Sequence, residues 1–384
     1  METKNDDWIL PLYKIYTDDE DINVITKIIK RGSNWAIGPE IEEFENSIKN
    51  YVGCDYCACL NSGTSSLHAL LLAYNIKKGD EIIVPSFSFI ATANAVLFVN
   101  GSPIFADIEE ETFGIDPKSL KLQINEKTKA IIPMDYGGMS CNIFEIKKIA
   151  QENNITLIED AAEALGSSIK GKKVGSIADS SIFSFCGNKV LTTGEGGSVV
   201  TNDKDIFEKV KLIRSHGRVD QKNYFQNNQE STYLMTGYNW RMSSITAALG
   251  ISQIKKLDKI IRMRQQNAKY LNSRLAKFNE IKTPITPNGY EHIYQMYTIR
   301  VPNIKFRDEL HDFLTKKKIF SKVYFTPIHK TKFYEDNIKI KSNMLTTTEK
   351  IANEILTLPL YPNMLSEELD YLIDSISEFI ETKN

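Results

Sequence analysis

Strand-like and helix-like segments alternate along the chain as far as residue 213, and this alternation limits the fold more than any other feature of the sequence. Short apolar runs such as EIIV at 81–84 are followed by helical patterns such as that at 143–152. Such alternation is typical of α/β proteins, in which helices connect the strands of a mostly parallel sheet. The predicted strands are 56–60, 81–84, 103–106, 130–133, 155–158, 181–185 and 198–201, and the predicted helices are 40–51, 64–74, 91–98, 143–152 and one that ends at 213.

The C-terminal part has a different pattern, which indicates a second domain. A chain of 384 residues suggests two domains, and residues 244–278 are helical with few breakers, a long run for a globular helix. We interpret this run as a helix, straight or bent, that leaves a large domain at 1–250 and enters a small α+β domain at 251–384. The small domain is predicted to contain strands at 294–301 and 320–324 and helices at 307–317, 347–355 and 366–382.

Charge and the N-terminal sequence argue against several classes of protein. The formal net charge is −2, so no basic excess favours a nucleic-acid partner. The N-terminus, METKNDDWILPLYKIY, has no apolar run long enough for a signal peptide or a membrane span, which predicts a cytoplasmic protein without a membrane partner. No G-x-G-x-x-G motif stands at a strand–helix junction, which argues against a dinucleotide-binding dehydrogenase.

The cysteines predict neither disulfides nor a metal site. Their number is five, and an odd count in a chain without a signal sequence argues against a disulfide framework. Cys54 and Cys57 form a C-x-x-C, which could be half of a zinc site or a redox pair, but no second pair follows at zinc spacing. The simpler interpretation is small apolar side chains in or beside a strand.

The segment FSFCGNKVLTTGEGG at 183–197 places Lys189 between a buried-looking strand and a glycine-rich turn. Most lysines are solvated surface groups, and that interpretation stays open for this residue. A lysine held at such a turn is partly removed from water, which lowers its pKa and provides the neutral amine that a Schiff base requires. Lys189 is therefore a candidate catalytic residue.

The segment IEDAAEALGS at 158–167 places Asp160 at the end of a predicted parallel strand. Ligands bind at the carboxyl ends of such strands in open α/β sheets. A carboxylate there can keep a pyridine nitrogen protonated, which makes the ring an electron sink. The alternative is an ordinary helix N-cap before an alanine-rich helix start.

Two further segments complete a candidate cofactor site. In LNSGTSSLHALLLA, the backbone and hydroxyls of Gly63, Thr64 and Ser65 stand where a strand passes into a helix and could bind a phosphate, or could simply cap the helix. In PSFSFIATAN, either Phe87 or Phe89 could lie flat on a planar ring, or both could be core residues. An amine, an acid, a phosphate cradle and a stacking ring are together the requirements of one cofactor, pyridoxal 5′-phosphate (PLP).

These segments, with WAIGPEIEEFE at 35–45, GYNWRMSSITAALG at 237–250 and LPLYPNMLSEELDYLI at 358–373, resemble the DegT/DnrJ/EryC1/StrS sugar aminotransferases. That family has the PLP-dependent transferase fold type I, which is similar to aspartate aminotransferase. The resemblance implies a homodimer with a shared active site. It implies a Schiff base on Lys189, contact of Asp160 with the pyridine nitrogen and stacking of Phe89 on the ring. The implied phosphate contacts come from Gly63, Thr64, Ser184 and Ser65, and from Asn239 of the neighbouring subunit. Glu163 is implied to lie in the cofactor pocket.

The form GNK followed by TTGEGG looks most like the perosamine-synthase branch of that family. The resemblance therefore implies transfer of an amino group from L-glutamate to a nucleotide-linked 4-keto-6-deoxyhexose, GDP-linked in that branch, for surface polysaccharide or glycan biosynthesis. Pyridoxamine phosphate (PMP) would be the aminated form of the cofactor. Family dehydratases carry histidine where this chain has Lys189, so the lysine favours transamination.

Other acceptors and one other class of protein stay open. The substrate could be another keto-sugar, aminated at carbon 3 or linked to UDP or dTDP, or a keto-cyclitol, and the chain could be a PLP-binding regulatory protein. Two departures bear on the sugar: Asp135 lies where many members have a Pro-Val-His stretch, and Cys186 replaces an aromatic residue. The candidate substrate contacts, each of which could equally be structural, are His216, Tyr238, Arg241, Tyr324 and His329.

Overall fold

A computed structural model of the chain describes residues 8–219, 231–338 and 344–383. Its strands are β1 (Tyr56–Leu60), β2 (Glu81–Pro85), β3 (Ser102–Ala106), β4 (Thr128–Ile131), β5 (Thr156–Asp160), β6 (Ser168–Ile169), β7 (Lys172–Lys173), β8 (Ser180–Ser184), β9 (Gly197–Thr201), β10 (Tyr290–Glu291), β11 (Tyr297–Arg300) and β12 (Ile355–Leu358). Its α-helices are α1 (Asp19–Arg31), α2 (Pro39–Val52), α3 (Gly63–Ala73), α4 (Ala91–Phe98), α5 (Pro117–Gln123), α6 (Ile143–Glu152), α7 (Lys204–Ile213), α8 (Ser244–Lys255), α9 (Leu257–Leu275), α10 (Ile304–Lys316), α11 (Lys332–Asn337), α12 (Thr346–Glu354) and α13 (Ser366–Glu381).

The central feature is a seven-stranded sheet with the strand order β1-β9-β8-β5-β4-β2-β3. Strand β9 runs antiparallel to both of its neighbours, and the pairs from β8 to β3 are all parallel. This arrangement confirms the prediction of a mostly parallel sheet in an α/β fold. Because β8, β5, β4 and β2 are parallel neighbours, their carboxyl ends lie side by side along one edge of the sheet.

Both faces of the sheet are buried, which explains why its strands read as continuous apolar runs. In β2, Ile82 and Val84 point to the face covered by α3, α4 and α7, while Ile83 points to the face covered by α5 and α6. Alternate residues of one strand therefore enter two different apolar clusters, as the pleat of a strand requires.

The C-terminal half of α9, with β11, β12, α10 and α13, forms another apolar cluster. Within α9, Leu257, Ile260 and Ile261 pack on the large-sheet side, whereas Ala268, Leu271 and Leu275 join this second cluster. Leu10 also belongs to the second cluster, and its N–H donates to the Lys318 carbonyl oxygen at 3.2 Å. The division at residue 250 stays a prediction, and this packing favours a boundary inside α9, with residues 8–13 joined to the C-terminal part.

Two sequence expectations differ from the structure. The strand predicted at 320–324 is wrong, because residues 319 and 322 form only single bridges, to Leu10 and Thr357. The long helical run at 244–278 is divided into α8 and α9 at Lys256, whose backbone leaves the helical conformation (ψ of 4°). No helix in the described residues combines the length and the apolar composition that crossing a bilayer requires.

A buried helix cap connects the sheet to α12 and gives a test of this packing. Asp107, which follows β3, accepts hydrogen bonds from the backbone N–H groups of Thr347 and Thr348 at 2.9 and 2.8 Å. Asp107→Ala should lower the free energy of unfolding by about 2–3 kcal/mol, because it leaves buried donors without an acceptor. Asp203→Ala, which removes an exposed cap from α7, should lower it by about 1 kcal/mol. Urea unfolding of both variants measures the difference, and equal losses would contradict the assignment of a buried cap.

Candidate functional site

The site is built where the carboxyl ends of β5 and β8 meet the start of α3. Asp160 is the last residue of β5 and Ser184 the last of β8. Gly63, the first residue of α3, approaches Ser184 so closely that an added Cβ would lie 3.0 Å from the Ser184 Cβ. Any side chain at this position would require Ser184 to move, so glycine favours this close approach of the helix N-terminus to the sheet edge.

Lys189 lies in the loop between β8 and β9, and its side chain is only 14% exposed. Its Nζ donates to Glu163 Oε1 at 3.1 Å, and Glu163 Oε2 accepts the Gly137 N–H at 3.0 Å. The loop is closed by Thr192, whose hydroxyl donates to the Phe185 carbonyl oxygen at 3.0 Å. The predicted catalytic lysine is thus a largely buried amine beside a carboxylate, and the solvated-surface alternative does not describe it.

Asp160 is 4% exposed, and burial raises the pKa of its carboxyl. The Thr92 hydroxyl donates to Asp160 Oδ2 at 2.7 Å, and the Ala162 N–H donates to Oδ1 at 3.3 Å. Both bonds favour the ionised form against the effect of burial. A cationic partner such as a protonated pyridine nitrogen would stabilise this carboxylate further, so its environment suits the predicted role.

The first turn of α3 is arranged as an anion site. Ser62 caps the helix by accepting the Ser65 N–H at 3.0 Å, while Gly63 and Thr64 lie in the first turn, where a helix supplies no acceptors for N–H groups. The buried Ser65 hydroxyl donates to Asn61 Oδ1 at 2.7 Å. This bond favours a structural role for Ser65 over the predicted phosphate contact.

The structure separates the two phenylalanines of PSFSFIATAN. Phe87 is fully buried and packs against Tyr136, with ring centroids 5.1 Å apart. Phe89 is 57% exposed, and its nearest aromatic contact is Phe325, with ring centroids 6.2 Å apart. Phe89 can therefore present a ring face to a planar ligand, whereas Phe87 cannot.

The chemistry of these groups fits PLP. A helix N-terminus beside Ser184 suits its phosphate, an exposed ring on Phe89 suits its aromatic face, and the buried carboxyl of Asp160 suits its pyridine nitrogen. Lys189 is the amine that would hold it.

Of the candidate substrate contacts, Tyr324 lies closest to this chemistry. The phenol is near enough to Glu163 and Lys189 for their charges to act on it, and burial raises its pKa. His329 is 4% exposed, and its ring nitrogens contact Ser86 Oγ at 2.7 Å and Glu349 Oε1 at 3.1 Å. Both nitrogens are thus occupied within the protein, which favours the structural alternative for His329.

The other candidates lie on a separate surface, where residues 215–218 pair with residues 233–239. His216 is exposed, and its N–H donates to the Tyr238 carbonyl oxygen at 2.9 Å. The Tyr238 ring stacks on Trp240 at 4.0 Å between centroids. Asn239 is exposed, and Arg241 pairs through its backbone with Leu60 at the end of β1. This surface adjoins the strand that leads into the phosphate cradle.

The model of the DegT/DnrJ/EryC1/StrS aminotransferase family matches residues 16–377. The chain belongs to this family. Membership confirms the expected fold, which is the PLP-dependent transferase fold type I, and the expected activity, which is that of a PLP-dependent sugar aminotransferase.

Individual family members are similar over almost their whole length. A GDP-perosamine synthase of Caulobacter vibrioides is 33% identical over 90% of this chain and 91% of its own. A UDP-4-amino-4,6-dideoxy-N-acetyl-beta-L-altrosamine transaminase of Campylobacter jejuni is 34% identical over 95% and 96%. Spr1654 of Streptococcus pneumoniae, known in a PMP form and a PLP form, is 26% identical, covers 97% of this chain and 99% of its own, and superposes with TM-scores of 0.91 and 0.90.

The sequence alone did not single out Thr92, Gly137 or Gln295 in this family member. Thr92 bonds Asp160, and Gly137 bonds Glu163. Gln295 accepts the Val190 N–H at 2.8 Å, beside the lysine. Thr92 lies in a segment that the sequence did single out, PSFSFIATAN, but no local signal marks Gln295, whose partner is more than a hundred residues away in the chain.

Within the described residues, no group of three or more His, Cys, Asp or Glu side chains is placed to hold a metal ion. Cys57 and Cys59 are buried in the apolar cluster that contains Phe44 and Phe185. Burial raises the pKa of each of these thiols. Their environment is that of small apolar core residues.

A buried acid pair lies directly behind the catalytic edge. Asp135 and Glu159 are both fully buried, and each has one oxygen bonded to a backbone N–H, that of Cys141 or of Gly175. The other oxygens, Asp135 Oδ2 and Glu159 Oε1, accept no hydrogen bond from an N–H or hydroxyl group of the described residues, so that only a carboxyl proton of the pair itself can bond them. Burial, together with the neighbouring Glu159 carboxyl, raises the pKa of Asp135 well above its usual range. We infer that Asp135 is protonated and donates to Glu159.

This pair predicts a pH dependence of stability. The folded protein keeps the Asp135 proton over a pH range in which the unfolded chain has lost it, so rising pH destabilises the folded protein by up to about 1.4 kcal/mol per unit in that range. Asp135→Asn keeps a donor toward Glu159 and cannot ionise. The stability of the variant relative to the wild type should therefore increase as the pH rises.

Urea unfolding of both proteins at several values between about pH 5 and pH 8 measures this difference. A difference that stays constant across the range would show that Asp135 is not protonated in the folded protein.

Proposed function

We propose that this enzyme transfers the amino group of L-glutamate to the keto carbon of a GDP-linked 4-keto-6-deoxyhexose, for the biosynthesis of a surface polysaccharide or glycan. The observation that supports this acceptor is the near full-length similarity to GDP-perosamine synthases, at 33% and 34% identity. Transfer to carbon 4 follows from the same similarity.

Bound through Lys189, PLP would supply an electron sink for the bond-breaking at the donor carbon. The residues of the chain itself transfer protons and stabilise the charges that develop during the reaction. The Lys189 amine would move a proton from the donor carbon to the cofactor in the first half-reaction and from the cofactor to the acceptor carbon in the second. Glu163, 3.1 Å from Nζ, stabilises the lysine when it is protonated. Asp160 stabilises positive charge at the pyridine nitrogen.

We also propose that two copies of the chain form a homodimer that shares the site. Among the described residues, position 219 and positions 233–238 expose several large apolar side chains, and Asn239 is exposed next to them; the apolar residues are Val219, Tyr233, Leu234, Met235 and Tyr238. Large exposed apolar side chains in one region are typical of a protein–protein interface. A second subunit on this surface would bring its Asn239 towards a neighbouring phosphate cradle.

A UDP-linked keto-sugar is the second candidate acceptor. The similarity to the Campylobacter jejuni transaminase, whose substrate is UDP-linked, is as extensive as that to the perosamine synthases.

Absorbance spectroscopy tests the proposal in two steps. The purified protein is mixed with PLP, and a yellow band that bleaches when L-glutamate is added establishes the donor half-reaction. GDP-4-keto-6-deoxymannose and a UDP-linked 4-keto-6-deoxyhexose are then offered separately, and return of the yellow band identifies the acceptor. Bleaching without recovery by either sugar would overturn the proposed acceptor, and no yellow band at all would favour a regulatory protein.

Lys189→Ala should abolish turnover, because it removes both the attachment point of the cofactor and the proton-transfer group. The variant should no longer give the yellow band while keeping the unfolding midpoint of the PLP-free wild type. Turnover assays with glutamate and circular dichroism of the PLP-free proteins provide the two readouts. Substantial remaining turnover would disprove the assignment of the Schiff-base lysine.

Asp160→Asn should slow proton transfer by about a hundredfold or more, because a neutral amide no longer stabilises charge on the ring nitrogen. The dissociation constant of PLP should change by less than about tenfold, since the variant exchanges only one contact of the cofactor. Stopped-flow absorbance with glutamate measures the rate, and equilibrium titration measures the affinity. An unchanged rate would refute the role of Asp160.

A further inference from the structure

A short segment far along the chain forms hydrogen bonds both with the turn that holds Glu163 and with the loop that carries Lys189. The anchor segment, residues His292–Met296, lies just before β11. The Ile293 and Met296 N–H groups donate to the Gly138 and Gly137 carbonyl oxygens at 2.9 and 3.0 Å. Since the Gly137 N–H in turn donates to Glu163, the anchor segment fixes the turn that holds this carboxylate.

The backbone of this turn lies very close to the backbone of the anchor segment. An added Cβ on Gly138, whose φ is +101°, would lie 2.7 Å from the Gln295 nitrogen. Glycine is therefore required there both by its backbone conformation and by the contact.

Gln295 connects the same segment to the lysine loop. Its Oε1 accepts the Val190 N–H at 2.8 Å, and its Nε2 donates to the Asn188 carbonyl oxygen at 2.7 Å. One buried amide thus holds the two peptide groups that flank Lys189. A single residue that binds both neighbours of the lysine fixes the position and direction of its Cα–Cβ bond.

Two side chains of α9 hold the anchor segment in turn. Arg264 is 4% exposed, and its guanidinium donates to the Tyr294 and Gln295 carbonyl oxygens at 2.7 and 2.8 Å. Burial lowers the pKa of Arg264 to about 10, which leaves it charged at neutral pH. Gln265 donates to the His292 carbonyl oxygen at 3.0 Å, at the end of the segment away from Gln295.

We propose that Gln295 is a positioning residue that sets the distance between Lys189 Nζ and the reacting carbon by clamping both peptide groups beside the lysine. This inference rests on the proposed role of Lys189 as the Schiff-base and proton-transfer residue. Gln295 itself does not touch the substrate. Because small displacements of a reacting group strongly reduce the rate, loss of the clamp should act on proton transfer far more than on substrate binding.

The test compares Gln295→Met, which keeps the side-chain length but makes neither hydrogen bond, with Gln265→Met, which makes the same chemical change at the far end of the anchor segment. Gln295→Asn, one methylene shorter and still polar, serves as a second variant if the methionine variant does not fold. Two quantities are measured. The first is amide hydrogen exchange in peptides that contain Val190, in the PLP-free protein. The second is the rate of bleaching of the PLP-loaded protein by L-glutamate, as a function of glutamate concentration.

For Gln295→Met we expect Val190 exchange about tenfold faster than in the wild type. The maximal bleaching rate should fall by about tenfold to a hundredfold, with the half-saturating glutamate concentration within about twofold of the wild-type value. Gln265→Met should match the wild type in both measurements.

The proposal is overturned if Gln295→Met exchanges and bleaches like the wild type, or if Gln265→Met shows the same losses. A wild-type protein that never turns yellow with PLP would instead overturn the proposed function, so the two failures are distinguishable.

Discussion

The parallel pairing of β5 with β8 is the interaction on which the site depends. This pairing sets Asp160 opposite Ile182, two residues before Ser184, so the acid and the phosphate-side hydroxyl reach the same edge of the sheet. The loop that follows β8 then carries Lys189 back over that edge, where Glu163, three residues beyond Asp160, meets its amine. Strand register therefore fixes where Asp160 and Ser184 lie, because a one-residue slip would turn Asp160 to the opposite face, and the two loops that follow these strands add Glu163 and Lys189.

The local parts of this arrangement could be predicted from the sequence. Strand β1 and helices α4 and α6 have the predicted bounds, because each is an apolar run or an amphipathic repeat that ends at turn residues. Lys189, Asp160 and Gly63 could be predicted because each stands next to a strand end, and strand ends of a parallel sheet converge. Phe89 could be distinguished from Phe87 only by family resemblance, since both occupy apolar positions and only tertiary packing buries one of them.

The long-range parts could not be predicted in the same way. Gln295 acts through an amide that could bond to almost any backbone, and its partners Asn188 and Val190 are separated from it by the rest of the fold. The mistaken strand at 320–324 has a related cause. Its aromatic and β-branched residues suit a strand, but the chain there meets Leu10 on one side and Thr357 on the other for a single residue each, so no ladder forms. The local sequence shows that a segment can form a strand, but only neighbouring backbone segments in the fold determine whether it does.

Helix α9 has a mechanical consequence for the enzyme. Its 19 residues extend for about 28 Å, with one end fixed among the side chains of the large sheet and the other among those of the C-terminal elements. Arg264 lies between these ends and holds the segment that clamps the lysine loop. A tilt of the C-terminal end of α9 would therefore displace Arg264 and, through the segment that Arg264 holds, the backbone beside Lys189. The position of the Lys189 amine would therefore depend on how the C-terminal elements pack against α9.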